Sequence, residues 1–544
     1  MWQQTYAPLF GSLGLSALAA ALPIFVLLYL LGVKRKPSWF TGLAGLAVAA
    51  AVAAVVYRMP VRTMACAIGY GAAFGLFPIG WVVFTAILLF RITVDAGQFE
   101  VIKDSIGNLS EDRRLQALLI AFAFGAFIEG ATGFGTPVAV AAAMLVGLGF
   151  SPFYAAGLCL LANTAPVAFG AIGIPLLTLA GITGLPLARL SAGVGRICAP
   201  ASLILPSYLV FVMGGWKALR GVFVASAVCG VFFAGTQLLV SNLLGPQLTD
   251  ILSSLAAMGA LIVLLMFWKP KDSFSLDEGQ HATEARSRRS HTPGEILRAW
   301  GPYILLVVFV LLWGANTVKT HLNRASFAFD WPALHDQILR MPPVVPQPSP
   351  FPARFDFNWL ATPGTACLLA ALLAAIFVLR MPLARFVRVF WETLKQLLLA
   401  ELTIAAVLAL AFLMNYSGAT ATLGLAFAGT GRLFPFFSAL LGWLGVFLTG
   451  SDTAANALFG NLQVVTANRL GLNPLLMASS NSSGGVMGKM ISLQNIAVGA
   501  AATGMKPAEE ARLFRFVLRH SITLALFIAL VVLFYSYVAP QWAP

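Results

Sequence analysis

Two carboxylates sit where an apolar chain rarely keeps them. Glu129 lies in FAFGAFIEGATGFGTPVAVAAAMLV, Phe122 to Val146, and Asp452 in GWLGVFLTGSDTAANALFGNLQVV, Gly442 to Val465. Each stretch is two short apolar arms joined at a small, polar, Gly-rich tip. An ionised side chain at mid-bilayer costs roughly 2.5–3.5 kcal/mol, and polar backbone at that depth must be buried in protein or line a polar cavity. Such tips suit contact with a small polar ligand. Burial disfavours the charged form of an acid, so Glu129 or Asp452 could carry a coupling proton. Asp452 could instead cap a helix, a common role for the acid of Ser-Asp-Thr.

Two further clusters read as helices broken inside the membrane. They are NTAPVAFGAIGIP, Asn163 to Pro175, and NSSGGVMGKMIS, Asn481 to Ser492. Pro166 and Pro175 remove helix donors, and glycines loosen both runs. Small-residue runs also serve close helix packing. That suits Ala141 to Ala143, whereas Asn, Thr and Ser beside NTAP and NSSGG favour a binding site. Half-helix N-termini carry free N–H groups and partial positive charge, which suit a carboxylate or phosphate. The candidate substrate ligands are Gly130, Thr132, Gly133, Thr136, Asn163, Thr164, Ser451, Thr453, Asn456, Asn481, Ser482, Ser483 and Lys489. Lys489 is a counter-charge for an anionic substrate or a structural partner of Asp452 or Glu129. Arg196 and Glu401 are the other charges inside expected spans. They could pair with each other, and Glu401 could snorkel from its span's end.

The elements that must hold these groups are membrane helices. Of 544 residues 59% are hydrophobic and only 10% charged, with mean hydropathy +0.87, and apolar runs of bilayer length recur. The expectation is an all-α polytopic membrane protein. Spans are expected at 9–31, 39–57, 63–95 (tilted or broken), 153–180, 190–213, 218–244, 249–268, 301–318, 362–380, 397–416, 474–500 and 512–538. That is about 12 transmembrane helices plus two re-entrant hairpins. The N-terminus MWQQTYAPLF lacks the basic region of a cleavable signal. Lys34, Arg35 and Lys36 place the first loop inside and both termini outside. Most Lys and Arg follow that assignment; Arg58, Arg62 and Arg469 oppose it.

The tips belong to an internal repeat. Phe127 matches Phe447 and Gly130 matches Gly450 at one offset; then GFSP matches GLNP, and Asn163-Thr164 matches Asn481-Ser482. The expected organisation is 1–62 scaffold helices, then 63–213 repeat 1 with hairpin 115–148 and broken helix 153–180. Central helices occupy 214–268, a flexible cytoplasmic linker 269–299, and helices 300–380 with an extended external loop at 320–358. Repeat 2 spans 381–538, with hairpin 435–468 and broken helix 474–500. The span count inverts the second repeat relative to the first, which places a site where the tips meet near the midplane.

The net charge of +14 fits basic loops at anionic headgroups, and no basic groove with interleaved aromatics speaks for nucleic acid. Cys66, Cys159, Cys198, Cys229 and Cys367 lie in apolar segments and read as buried hydrophobes. The five histidines form no intramembrane cluster, so neither a metal nor a cofactor is expected. GATGFG and GGVMGKM lack the strand context and spacing of nucleotide loops. An intramembrane enzyme lacks a supporting motif.

At AFIEGATGFGTPVAV, LANTAPVAFGAIGIP, FLTGSDTAANALFGNLQ, NSSGGVMGKMISLQNIAVG and FDWPALHDQILRMPPVV the chain resembles the bacterial lactate permeases over nearly its whole length. The resemblance implies proton-coupled symport of L-lactate, D-lactate and glycolate across the bacterial inner membrane. It also suggests kinship with ion-transporter-type elevators. The partners expected are a small carboxylate, a proton and the lipid bilayer, with a homodimer by analogy alone. A sodium-coupled dicarboxylate transporter and a passive anion channel are the alternatives.

Overall fold

The computed structural model describes residues 1–133, 135–272, 274 and 291–544. Phe134 and the middle of the expected linker, with His281 and Arg286, lie outside the described residues. The chain is mostly helical. Among the described residues, ten helical stretches are long and apolar enough to cross a bilayer, or eleven if one bent pair counts as a single span.

Helices α1 (Leu13–Leu28) and α2 (Ser38–Val55) form a hairpin. The long 63–95 segment is α3 (Val61–Phe74) and α4 (Trp81–Asp95), broken at Phe77, whose φ/ψ of −143°/124° is extended. An amphipathic helix α5 (Gln98–Gly107) leads to α6 (Arg113–Gln116). A wide turn of helix joins α6 to α7 (Gly125–Ala131), and α8 (Thr136–Gly147) follows the first tip. The arm Arg113–Ala131 is of span length yet its apolar window is entirely buried in protein. α9 (Pro152–Ala162) and α10 (Gly170–Thr183) meet at a 65° bend, the expected first break.

The expected spans 190–213 and 218–244 are the two arms of α11 (Leu187–Leu243), separated by non-helical backbone at Gly214 and Gly215, with a further kink at Val222. α12 (Thr249–Phe267), α13 (Pro293–Gly314) and α14 (Asn316–Leu322) follow. α15 (Pro363–Leu373) with its π-turn to Val378 is apolar but short of a full span. α16 (Leu383–Ser417) extends the expected span 397–416 toward its N-terminus and carries Glu401.

The rest of the region 381–538, expected as the second repeat, holds α17 (Ala419–Phe427), α18 (Phe434–Thr449), α19 (Asp452–Leu470), α20 (Pro474–Gly488), α21 (Leu493–Thr503) and α22 (Pro507–Tyr537). The break lies at Lys489–Ser492, inside the expected run Asn481 to Ser492 and past NSSGG. Asn481 to Gly485 are continuous helix, and the glycines exist for contact. An added Cβ at Gly484 would stand 2.0 Å from Ala439 O, and one at Gly442 1.9 Å from Asn481 O. Close packing of α18 on α20 therefore accounts for Gly442 and Gly484, and the break itself falls at the end of the expected stretch.

The loop 320–358 is folded rather than simply extended, which amends the all-α expectation. It holds strands β2 (Phe327–Asp330), β3 (Ile338–Arg340), β4 (Ser349–Pro350) and β5 (Arg354–Phe357), and β3 pairs in parallel with the N-terminal β1 (Trp2–Gln3). The Gln4 amide donates to Asn415 O and Tyr416 O at 2.9 Å, tying the N-terminus to the end of α16.

Candidate functional site

Both tips turn through left-handed glycines. Gly133 (φ 64°) and Gly135 (φ 79°) carry the chain from α7 to α8, and Gly450 (φ 72°) from α18 to α19, a conformation that penalises other residues. The Ser451 hydroxyl caps α19 by accepting from Ala454 N at 3.3 Å. Asp452 is thus the first helical residue and not the cap. The first break is strained: Ala171 (φ 46°) and Ile172 (φ 59°) precede Gly173 in left-handed backbone. Ser492 caps α21, accepting from Asn495 N at 3.3 Å.

These ends share one cavity of about 440 Å³. Its wall contains Gly135 at the start of α8, Gly170, Ala171 and Pro175 at the start of α10, Ser451 to Ala454 at the start of α19, and Gln494 and Asn495 at the start of α21. Four helix N-termini therefore face the same space, each with outward first-turn N–H groups and partial positive charge. Glu129, Asp452 and Lys489 complete the polar wall. The opposite wall is Leu27 of α1, Leu31 just beyond it, Ser38, Trp39, Thr41 and Gly42 of α2, and Leu399, Ala400, Thr403, Ile404, Val407 and Leu408 of α16, mostly apolar.

Lys489 Nζ lies 2.6 Å from Glu129 Oε1, both side chains nearly buried. Of the two pairings foreseen for Lys489, Glu129 is the one formed. Asp452 Oδ2 accepts from Ser482 Oγ at 2.5 Å and from Asn456 Nδ2 at 3.3 Å. Behind it the network continues: Asn481 Nδ2 donates to Asn456 Oδ1 (2.9 Å), and Gln463 Nε2 to Asn481 Oδ1 (3.0 Å).

Of the candidate ligands, Gly133, Ser451, Thr453 and Lys489 line the cavity, as do Glu129 and Asp452. Asn456, Asn481 and Ser482 do not; they orient Asp452 from behind. Ser483 is fully buried on the same helix. Thr132 and Thr164 turn their hydroxyls back to Ile128 O and Leu161 O. Gly130 packs on α12, where an added Cβ would stand 2.8 Å from Asp250 Cβ. Thr136 is half-buried just outside the wall, and Asn163 is buried with neither amide atom hydrogen-bonded. Arg196 does not meet Glu401: it donates to Asn242 Oδ1 (3.0 Å) and to the C-terminal carbonyls of Trp542 and Ala543.

Asp250 escaped sequence reading. It is buried in the first turn of α12, neither oxygen has a hydrogen-bond partner, and it feels the charges of Glu129 and Lys489. Its signal was an acid at the head of an apolar run, which reads as an ordinary first-turn carboxylate.

Bilayer-length helices around a polar pocket built from broken helices make this a multi-pass membrane transporter. The L-lactate permease model matches residues 16–539, and the chain belongs to that family. It is 46% identical to the L-lactate permease of Bacillus subtilis, covering 97% of each chain. It is 44% identical to the glycolate permease GlcA of Escherichia coli, covering 99% of this chain and 98% of that one. A solved structure, Neisseria gonorrhoeae MtrF of a class of antimetabolite efflux pumps, aligns over 94% of this chain and 97% of its own at 14% identity and TM-score 0.49, a likeness too weak to bear on topology.

Proposed function

We propose that this chain takes up L-lactate and related short 2-hydroxy monocarboxylates, D-lactate and glycolate, in symport with protons across the bacterial inner membrane. The observation that carries the reading is the convergence of four helix N-termini on one cavity that also holds two carboxyls and one ammonium. Inward N–H groups suit a substrate carboxylate. The hydroxyls of Ser451 and Thr453 suit its 2-hydroxyl.

Charge argues for the proton. Lys489 is already paired with Glu129. An arriving anion that takes over Lys489 leaves Glu129 unpaired in a poorly solvated wall, an arrangement that a proton on Glu129 or Asp452 relieves. One proton then enters with each anion. The permease relatives named for lactate and for glycolate support the substrate class.

The same reading makes the two tips re-entrant hairpins of inverted repeats, with the N-terminus and C-terminus outside. The transport half, both repeats' tips and breaks, slides against α1, α2 and α16 in an elevator motion. The largely apolar face that these helices turn to the cavity supports it, because such a surface offers few polar contacts to break during sliding. The scaffold is taken to be dimeric by analogy.

Counterflow in proteoliposomes with a panel of C2 to C4 acids, pH and sodium varied separately, tests the function. Concentrative lactate uptake under an imposed pH gradient without sodium is expected. Uptake that requires sodium and is competed by succinate would overturn it in favour of dicarboxylate transport. Equilibration without accumulation would mark a channel.

A further inference from the structure

A second cavity of about 680 Å³ adjoins the first and shares Leu31, Gly450 and Gln494 with it. Its walls carry Arg35, Lys36 and Arg515 against one acid, Glu510. Arg35, Lys36 and Arg515 are solvent-exposed. The α1–α2 turn that presents Arg35 and Lys36 is fixed by Lys34 N donating to Tyr29 O (3.0 Å) and Lys36 N to Leu30 O (2.9 Å). At the join, Gln494 Nε2 donates to Ser38 Oγ at 2.7 Å. That bond links the first turn of α21 to the first residue of α2, across the boundary between the polar and apolar walls. An added Cβ on Gly450 would stand 2.7 Å from Gln494 Oε1, so the second tip closes on the same side chain.

We propose that this second cavity is an anion-collecting vestibule through which a small carboxylate passes between the pocket and the cytoplasm, with the Gln494–Ser38 bond as the latch at its inner end. The inference rests on the transport reading above and adds its route and side. The net positive field of the three cations raises the local concentration of carboxylates at the mouth. Because these side chains are exposed, the effect is screened by salt. The latch joins elements that an elevator motion separates, so it breaks when the pocket leaves the vestibule.

The test compares the triple variant R35Q/K36Q/R515Q with wild type in inside-out and right-side-out membrane vesicles. In inside-out vesicles the variant's KM for lactate is expected to rise roughly three- to tenfold at low ionic strength, with the difference gone at about 1 M salt, where the screening length is about 3 Å. In right-side-out vesicles KM is expected to stay unchanged. An equal shift on both sides, no shift, or a shift only from outside overturns the proposal. So does an effect that appears only with anionic phospholipid in reconstituted vesicles, since the cations would then hold headgroups. Gln494→Cys supplies a measurement independent of transport, against a background whose native cysteines are buried apart from half-buried Cys66. A membrane-impermeant thiol reagent should label it from the cytoplasmic side, and lactate should slow the labelling. Labelling from the outer side alone, or none from the cytoplasmic side, sinks the vestibule even if the chain transports lactate. Wild-type vesicles that fail to move lactate overturn the transport reading and leave the labelling result to judge the vestibule.

Discussion

Lys489 Nζ and Glu129 Oε1 stand 2.6 Å apart although their residues are 360 positions distant in the chain. The contact joins the second break to the first tip, so two segments far apart in the chain are tied at the pocket by one ion pair. Removing one member of a buried pair costs about 3–5 kcal/mol, whereas removing both is far milder. Glu129→Gln and Lys489→Met are each expected to lower the melting temperature of the purified protein, and the double variant to recover most of that loss while remaining inactive in transport. A double variant no more stable than the worse single one would show that the pair does not hold these segments together.

The tips were legible from sequence because glycine, a hydroxyl and one acid interrupt runs that are otherwise apolar, and no packing need explains an acid there. Lys489's alternatives were legible too, but not the choice between Glu129 and Asp452, which depends on chain segments hundreds of residues apart. NSSGG misled for a physical reason. Glycine serves a helix break and a close helix contact equally well, and only the position of Ala439 O against Gly484 decides between them. The apolar wall from α2 and α16 and the Gln494–Ser38 bond left no local signature, because leucine, alanine and serine are ordinary in membrane helices.

Asp452 accepts two hydrogen bonds through Oδ2, while Oδ1 has no protein partner. Asparagine keeps an acceptor for Ser482 and Asn456 but cannot exchange a proton. Asp452→Asn is therefore expected to retain lactate counterflow and to lose accumulation driven by a pH gradient, read as the ratio of internal to external labelled lactate. Accumulation at the wild-type ratio would remove Asp452 from coupling and leave Glu129 as the carrier.

α18 and α20 touch backbone to backbone at Gly442 and Gly484. A methyl group at either site meets a carbonyl that cannot move aside, so overpacking should cost at least the usual 1–3 kcal/mol. Gly442→Ala and Gly484→Ala are expected to sharply reduce the yield of monodisperse protein on size-exclusion chromatography. Gly235→Ala in α11, with nothing within 4 Å of the added carbon, is the control and should behave as wild type. Equal yields for all three would mean that α18 and α20 are not so close.

Ala171 holds left-handed backbone in the pocket wall, with φ at 46°. An L-residue pays roughly 1–2 kcal/mol for that conformation, and glycine pays little. Ala171→Gly is expected to raise the melting temperature slightly, and Ala171→Val, β-branched at the same φ, to lower it and reduce lactate uptake. A melting temperature for Ala171→Gly below that of Ala171→Val would contradict the strained break.

Arg114 is fully buried at the base of the first arm, where Nη1 donates to Asp272 Oδ2 (2.8 Å) and Nη2 to Asp112 Oδ2 (2.6 Å), with the guanidinium over the Phe274 ring. This cluster fastens the chain after α12 to the start of α6. Hydrogen bonding to Arg114 holds the Asp272 carboxyl below its ordinary value of 3.8. A depressed carboxylate stabilises the fold above its unfolded value, and that stabilisation is lost as pH falls through the lower folded value. The Asp272 contribution should thus be complete at neutral pH and fade only below about 4. Because its side chain is 45% exposed, Asp272→Asn is expected to cost at most about 1 kcal/mol at pH 7 and to flatten the acid limb of the melting curve. Arg114→Ala, which strips both acids of their partner, should cost more, about 1–3 kcal/mol, because the acids left behind are partly exposed. Melting temperatures recorded from pH 3 to 7 check both. An acid limb identical in wild type and Asp272→Asn would rule out Asp272 as part of the fastening.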